Sequence, residues 1–159
     1  MADLTAGVLT VSDSSAAGVR EDLSGPAVAE ALTQNDFTVV ATEIVPDEQP
    51  EIEAAIRRLS AMARLVVTTG GTGLAPRDVT PEATRAVCTR MVEGLAERMR
   101  ADGLTKTKYA SLSRALCGVC GTSLVVNLPG SPRGAVESLS SILNVLPHAL
   151  DLLRGKTKH

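Results

Sequence analysis

The stretch LVVTTGGTGLAPRDVTPEA, from Leu65 to Ala83, constrains the fold of this chain more than any other. Leu65 to Thr69 is an apolar, β-branched run bounded by glycine, the pattern of a strand buried on both faces. Gly70, Gly71 and Gly73 follow. With no Cβ they turn tightly at positive φ and let a bound group approach the backbone. Thr72 adds a hydroxyl. Thr80, Pro81 and Glu82 then open a helix, with a hydroxyl to cap it, a proline where no N–H is needed, and an acid in the first turn. Arg77 and Asp78 stand between loop and helix. This order presents unpaired backbone N–H groups at the carboxyl end of a strand, where open α/β sheets bind phosphorylated ligands. The spacing is neither a Walker A loop, since no Gly-Lys-Ser/Thr follows, nor the dinucleotide G-x-G-x-x-G pattern.

The same alternation runs through the rest of the chain. Ala6 to Val11 reads as a strand ending in Ser12, Asp13 and Ser14, and Ser24-Gly25-Pro26 opens a helix with Val28, Ala31 and Leu32 on one face. Phe37 to Val45 reads as a second strand, stopped by Pro46. Asp47 to Pro50 leads into a helix carrying Ile52, Ile56 and Leu59. Asp47 has two readings: an N-cap of that helix, or a strand-end carboxylate able to hold a divalent cation. From Pro81 a single helical region is expected, with Val87, Met91, Leu95 and Met99 spaced by four and Gly94 as a point of interruption. Leu104 to Leu116 is polar and cationic, with a helical tendency from Ser111 onward. Thr122 to Asn127 is the last strand. It ends in the turn Asn127 to Pro132, with Ser131 as N-cap of a helix that buries Val136, Leu139, Leu143 and Leu146 and stops before Pro147. These spacings predict one domain over residues 1–159, a three-layer α/β/α, doubly wound, mostly parallel sheet whose strand-end loops line one crevice.

Composition narrows the partners. A net charge of −2 and only two aromatics, Phe37 and Tyr109, argue against a nucleic-acid surface. No apolar run approaches the roughly 18 residues of a membrane span and no secretory pattern opens the chain, so a cytoplasmic protein is expected. Residues 1–60 carry a net −8 and residues 61–159 a net +6. The glycine loop lies in the positive part, which suits an anionic ligand, although opposite charges can also simply meet across the fold. Cys88, Cys117 and Cys120 read as small buried thiols rather than a redox or zinc site. His148 reads as structural and His159 is terminal, which leaves no Ser-His-Asp hydrolase.

Two carboxylates, Asp47 and Asp78, beside Arg77 and an N–H-rich loop suit nucleotidyl transfer. Magnesium needs only a couple of carboxylates plus phosphate oxygens, and a substrate phosphate can itself be the nucleophile. At this point the chain resembles the MoaB/Mog family of molybdenum-cofactor biosynthesis. The resemblance rests on TVSD at 10–13, SGP at 24–26, VPDE at 45–48, TTGGTGLAPRDVTPEAT at 68–84, EGLAERMR at 93–100, LSRALCG at 112–118 and NLPGSPRG at 127–134.

The pattern is most similar to the Mog-type adenylyltransferases of that family. The resemblance implies Mg²⁺-dependent transfer of AMP from ATP to molybdopterin, a homotrimer, and hand-over to a molybdenum insertase. It gives Asp47 and Asp78 the essential-acid and metal-holding roles. It assigns ligand binding to Ser12, Asp13, Gly70, Gly71, Thr72, Gly73, Ser113, Arg114, Asn127, Pro129, Gly130 and Ser131, and Arg77 and Thr80, beside the glycine loop, are expected to bind with them. The competing expectation is a MoaB-type protein that binds and carries molybdopterin without catalysis.

Overall fold

The computed structural model describes residues 3–156, so His159 lies outside the described residues. In chain order the elements are β1 (Thr5–Val11), α1 (Asp13–Ala16), α2 (Ser24–Gln34), β2 (Thr38–Val45), α3 (Gln49–Met62), β3 (Leu65–Thr69) and α4 (Thr80–Val87). There follow β4 (Arg90–Met91), α5 (Glu93–Leu104), a 3₁₀ turn (Lys108–Leu112), β5 (Cys117–Cys120), β6 (Ser123–Leu128), α6 (Pro132–Ile142) and α7 (Leu146–Leu153). The sheet order is β2-β1-β3-β6-β5-β4. The first four strands in that order are mutually parallel; β5 runs antiparallel to β6, and β4 antiparallel to β5.

Side-chain alternation divides the core into two layers. Ala6 and Val8 of β1, Leu65 and Val67 of β3, and Leu124, Val126 and Leu128 of β6 pack under α2, α5, α6 and α7. Leu9, Val11, Val66 and Val125 point the other way and pack with Ile52, Ile56 and Leu59 of α3 and Ala83 and Val87 of α4. The result is the three-layer α/β/α sandwich expected from the alternating pattern. Each fully buried leucine or isoleucine contributes about 2 kcal/mol from the apolar area it removes from water. Gly7 lets α3 come close, because a Cβ there would sit 3.1 Å from Leu59 Cδ2.

Three points go against or beyond the sequence reading. The region from Pro81 is not one helix. It breaks after Val87, and residues 89–92 bond to β5 through Thr89 N to Val119 O at 2.9 Å and Val92 N to Cys117 O at 2.8 Å. The four-residue apolar spacing spans this break, and Gly94 lies within the first turn of α5. Second, Cys117-Gly118-Val119-Cys120 is a strand. Cys117 enters one core layer and Cys120 packs against the other, so the two thiols face opposite sides of the sheet and cannot bridge. Burial pushes Cys88 up to about 11 and Cys117 to about 12, as inert thiols should be. Third, α6 buries Ala135, Leu139 and Ile142, with Val136 and Leu143 only half-buried. Leu146 opens a separate helix, α7, with Pro147 in its first turn.

The strands turn polar as they reach the rim. Thr10, Thr68, Thr69 and Asn127 are all buried at the carboxyl ends of β1, β3 and β6. That rim positions the site.

Candidate active site

The glycine loop is held from below by its own helix and from the side by Arg114. Gly70 and Gly71 take φ of 96° and 70°, a region that costs a residue with a Cβ about 1–2 kcal/mol. Gly73 does not; it is needed because a Cβ would lie 2.9 Å from Asp78 Oδ2. Thr80 is the first residue of α4 rather than its cap, and its buried hydroxyl donates to Gly70 O at 2.9 Å. Arg114 donates from Nε to Gly73 O at 2.8 Å, from Nη2 to Asp78 O at 2.7 Å, and from Nη1 to Glu82 Oε2 at 2.7 Å. The guanidinium holds the Glu82 carboxyl below its usual range.

Two hollows meet at this loop. The larger, about 660 Å³, runs from Thr72 and Gly73 past Ser113 and Tyr109 to Lys106 and Glu137. The smaller, about 400 Å³, lies between the glycine loop and the start of α2, with Ser12, Asp22, Ser24 and Asp47 on its wall. Gly71, Asp78, Gly130 and Ser131 line both and form the ridge between them. The N–H groups of Gly71, Thr72, Gly73, Gly130 and Ser131 find no protein acceptor among the described residues. Ser131 caps α6 by accepting from Gly134 N at 3.1 Å, so the N-terminus of that 11-residue helix faces the ridge.

Asp47 and Asp78 come together here. Asp47 is no helix cap, since α3 begins with Glu48 as an N-cap without a side-chain bond. Instead Asp47 Oδ2 accepts Asp13 N at 3.0 Å and Asp13 Oδ1 accepts Asp47 N at 2.9 Å, a reciprocal exchange between the ends of β1 and β2. Asp47 Oδ1 is left facing the loop, 3.2 Å from where a Cβ of Gly71 would stand. Asp78 Oδ2 accepts Ala75 N at 3.0 Å. Burial raises the Asp47 carboxyl above its ordinary range; the Asp13 N–H works against this, and the negative charges of Asp13 and Asp78 add to it. A cation between Asp47 and Asp78 would relieve that repulsion. Among the described residues no cluster of three or more His, Cys, Asp or Glu offers a fuller metal site.

A carboxyl whose folded value exceeds its unfolded one binds its proton more tightly when folded. Stability is therefore lost as pH rises from about 3.8 through the raised value, and the full cost is present at neutral pH. Asp47→Asn keeps an oxygen for the Asp13 N–H without the charge. Its melting midpoint is expected to exceed wild type at pH 7 and to match it at pH 3, as thermal unfolding at the two pH values will show.

Several residues expected to touch a ligand are bonded within the protein. Arg77 lines neither hollow and does not pair with Glu82 or Asp78. It forks onto Asp13, Nε to Oδ2 at 3.0 Å and Nη2 to Oδ1 at 2.9 Å, and reaches Glu48 Oε1 at 3.1 Å. Opposite charges from the two halves of the chain thus meet across the fold. Asn127 is fully buried, donating to Thr68 Oγ1 at 3.0 Å and Thr84 Oγ1 at 2.9 Å while accepting Leu116 N at 3.0 Å. It braces the larger hollow with its amide fully engaged. Like Arg77, Thr80, Arg114 and Asp13 are absent from both walls, whereas Asn127, Pro129 and Ser113 line the larger one. His148 lies on α7 and lines neither.

Asp22 escaped the sequence reading. It accepts Thr10 Oγ1 at 2.7 Å and Gly25 N at 3.0 Å, so it supplies a bond to the first turn of α2, while the Ser24 hydroxyl pairs with Thr69 Oγ1 at 2.8 Å. An acid three residues before Gly25 was the available signal.

Residues 7–148 match the probable molybdopterin binding domain. The chain belongs to that family. A molybdopterin adenylyltransferase of Helicobacter pylori is 42% identical over 153 residues, covering 94% of this chain and 87% of the relative. The molybdenum cofactor synthesis protein cinnamon of Drosophila melanogaster is 40% identical over 156 residues, and there the chain spans only 26% of the relative's length. The crystal structure of the molybdopterin biosynthesis enzyme MoaB from Thermus thermophilus superposes with a TM-score of 0.90 at 52% identity, covering 96% of this chain and 98% of that one. No helix among the described residues is long and apolar enough to cross a membrane.

Proposed function

We propose that the protein is a molybdopterin adenylyltransferase acting in molybdenum-cofactor biosynthesis, with ATP and molybdopterin as substrates and Mg²⁺ as the metal. The observation that carries this reading is the meeting of Asp47, on the wall of the smaller hollow, with Asp78 and unpaired loop amides on the ridge where two hollows join. Two hollows accommodate two substrates, and the ridge is where their phosphates would come together. Hard carboxylate oxygens in a pair fit Mg²⁺, which keeps waters and takes the rest of its shell from phosphate oxygens. When bound there it would supply neutralisation of the charge developing on the transferred phosphoryl group.

The protein's own part is alignment. The amides of Gly71, Thr72 and Gly73 on one side, and of Gly130 and Ser131 at the α6 N-terminus on the other, would hold phosphate oxygens in fixed directions. A terminal phosphate oxygen of molybdopterin then attacks the α-phosphorus of ATP. A new P–O bond forms, the bond from the α-phosphorus to the bridging oxygen breaks, and pyrophosphate leaves with the electron pair. No proton need be removed from an ionised phosphate, which accords with the lack of a histidine on either hollow among the described residues. Ser12 and Ser113 lie on opposite walls and would contact the two substrates outside the ridge. The same reading carries a single domain, cytoplasmic location, trimeric assembly and delivery to a molybdenum insertase.

The test is pyrophosphate release by the purified chain with molybdopterin, ATP and Mg²⁺. Release that requires all three, and stops on chelation of the metal, is expected. Molybdopterin binding without pyrophosphate would instead make the protein a carrier.

A further inference from the structure

We infer that Arg77 is a positioning residue, which sets the relative placement of Asp47 and Asp78 through Asp13 rather than binding a substrate phosphate. Three strand-end loops meet at this guanidinium. Asp13 comes from the end of β1 and Glu48 from the end of β2, next to Asp47, while Arg77 itself precedes Asp78 in the loop after β3. The fork onto Asp13 uses Nε and Nη2 with both carboxylate oxygens, the geometry that fixes direction as well as distance. Asp13 in turn accepts Asp47 N with Oδ1 and donates its own N–H to Asp47 Oδ2. One carboxylate oxygen of Asp47 is therefore committed to this chain of bonds, and Oδ1 is turned toward Gly71 and the ridge. Arg77 thus commits Nε and Nη2 to Asp13 and Glu48 and contributes to neither hollow. An exposed ion pair adds little to global stability, so the value of this one lies in where it holds the Asp47 oxygen.

The inference rests on the adenylyl-transfer reading, and the experiment separates the two. Arg77→Ala, Asp13→Ala and the double variant are compared in pyrophosphate release with MgATP and molybdopterin, together with amide hydrogen exchange of each ligand-free protein. Arg77→Ala is expected to lower kcat by about ten- to a hundredfold, the scale of a misplaced reacting group, with KM for either substrate within about twofold of wild type. The double variant is expected to be no slower than the slower single one, since both remove the same linkage. Without substrate, the amides of Asp13 and Asp47 should exchange faster in Arg77→Ala, by about threefold or more, while the Arg114 amide stays as in wild type.

A rise in KM with kcat held, or single effects that multiply in the double variant, would overturn the inference and make Arg77 a ligand-binding group. Should Arg77→Ala not fold, Arg77→Gln carries the same readouts. If the wild type released no pyrophosphate, adenylyl transfer would fail as a reading. The exchange measurement, which needs no substrate, would still decide whether Arg77 holds Asp13 and Asp47 in place: unchanged Asp13 and Asp47 amides would reject it.

Discussion

Asp78→Asn is expected to lower pyrophosphate release by about 10²- to 10³-fold while leaving the melting transition and molybdopterin binding close to wild type. An asparagine keeps an oxygen for Ala75 N, now 3.0 Å from Asp78 Oδ2, so the loop retains its shape. What disappears is a negative charge on the ridge shared by both hollows. Loss of turnover without loss of binding is the signature of an interaction that matters in the transition state more than in the ground state. Single-turnover release beside a molybdopterin titration separates the two. Near-wild-type turnover would remove Asp78 from the metal-holding pair and with it most of the case for adenylyl transfer.

Asn127→Ala should be the costliest single change to the framework of the site, about 2–4 kcal/mol in urea unfolding. The side chain is completely buried, and its amide joins four parts of the molecule: β6, Thr68 of β3, Thr84 of α4, and the backbone of Leu116 just before β5. Truncation leaves a small void, an unpaired Leu116 N–H and two threonine hydroxyls without their donor. The part of the larger hollow's wall formed by Ser113 and Ala115 should loosen with it. A variant as stable as wild type would mean that water enters and replaces the amide.

The parallel part of the sheet was legible because its strands announce themselves locally. Leu65 to Thr69 is buried on every residue, and apolar runs of that kind have few alternatives. The convergence of Asp47 and Asp78 followed from the same pattern, since loops at the carboxyl ends of parallel strands in one sheet share a rim, here across β1. β4 and β5 were hidden for the opposite reason. Arg90-Met91 is a strand only because Val119 and Gly118 lie opposite it, and glycine and cysteine give β5 little strand character of its own. A helical spacing from Val87 to Met99 therefore looked continuous across a break that only distant partners impose.

The roles of Arg77, Arg114, Thr80 and Asn127 were illegible for a related reason. Sequence places a side chain on a loop, but the acceptors that capture it stand on other loops. An arginine next to a glycine turn reads equally well as a phosphate ligand or as a brace, and the Asp13 carboxylate that it meets here stands on another loop.

The reversal of β5 has an architectural consequence. A wholly parallel sheet offers one connection per strand at its ligand-facing edge. Because Cys117 pairs beside Val126, β5 starts at that same edge, and residues 105–112, ahead of the Arg114 brace, become an additional wall on that side. Such a segment behaves as an exchangeable cassette. Its length and side chains can vary without shifting the register of β1, β3 or β6, so substrate preference can diverge, in nature or by engineering, while the acid pair stays where it is.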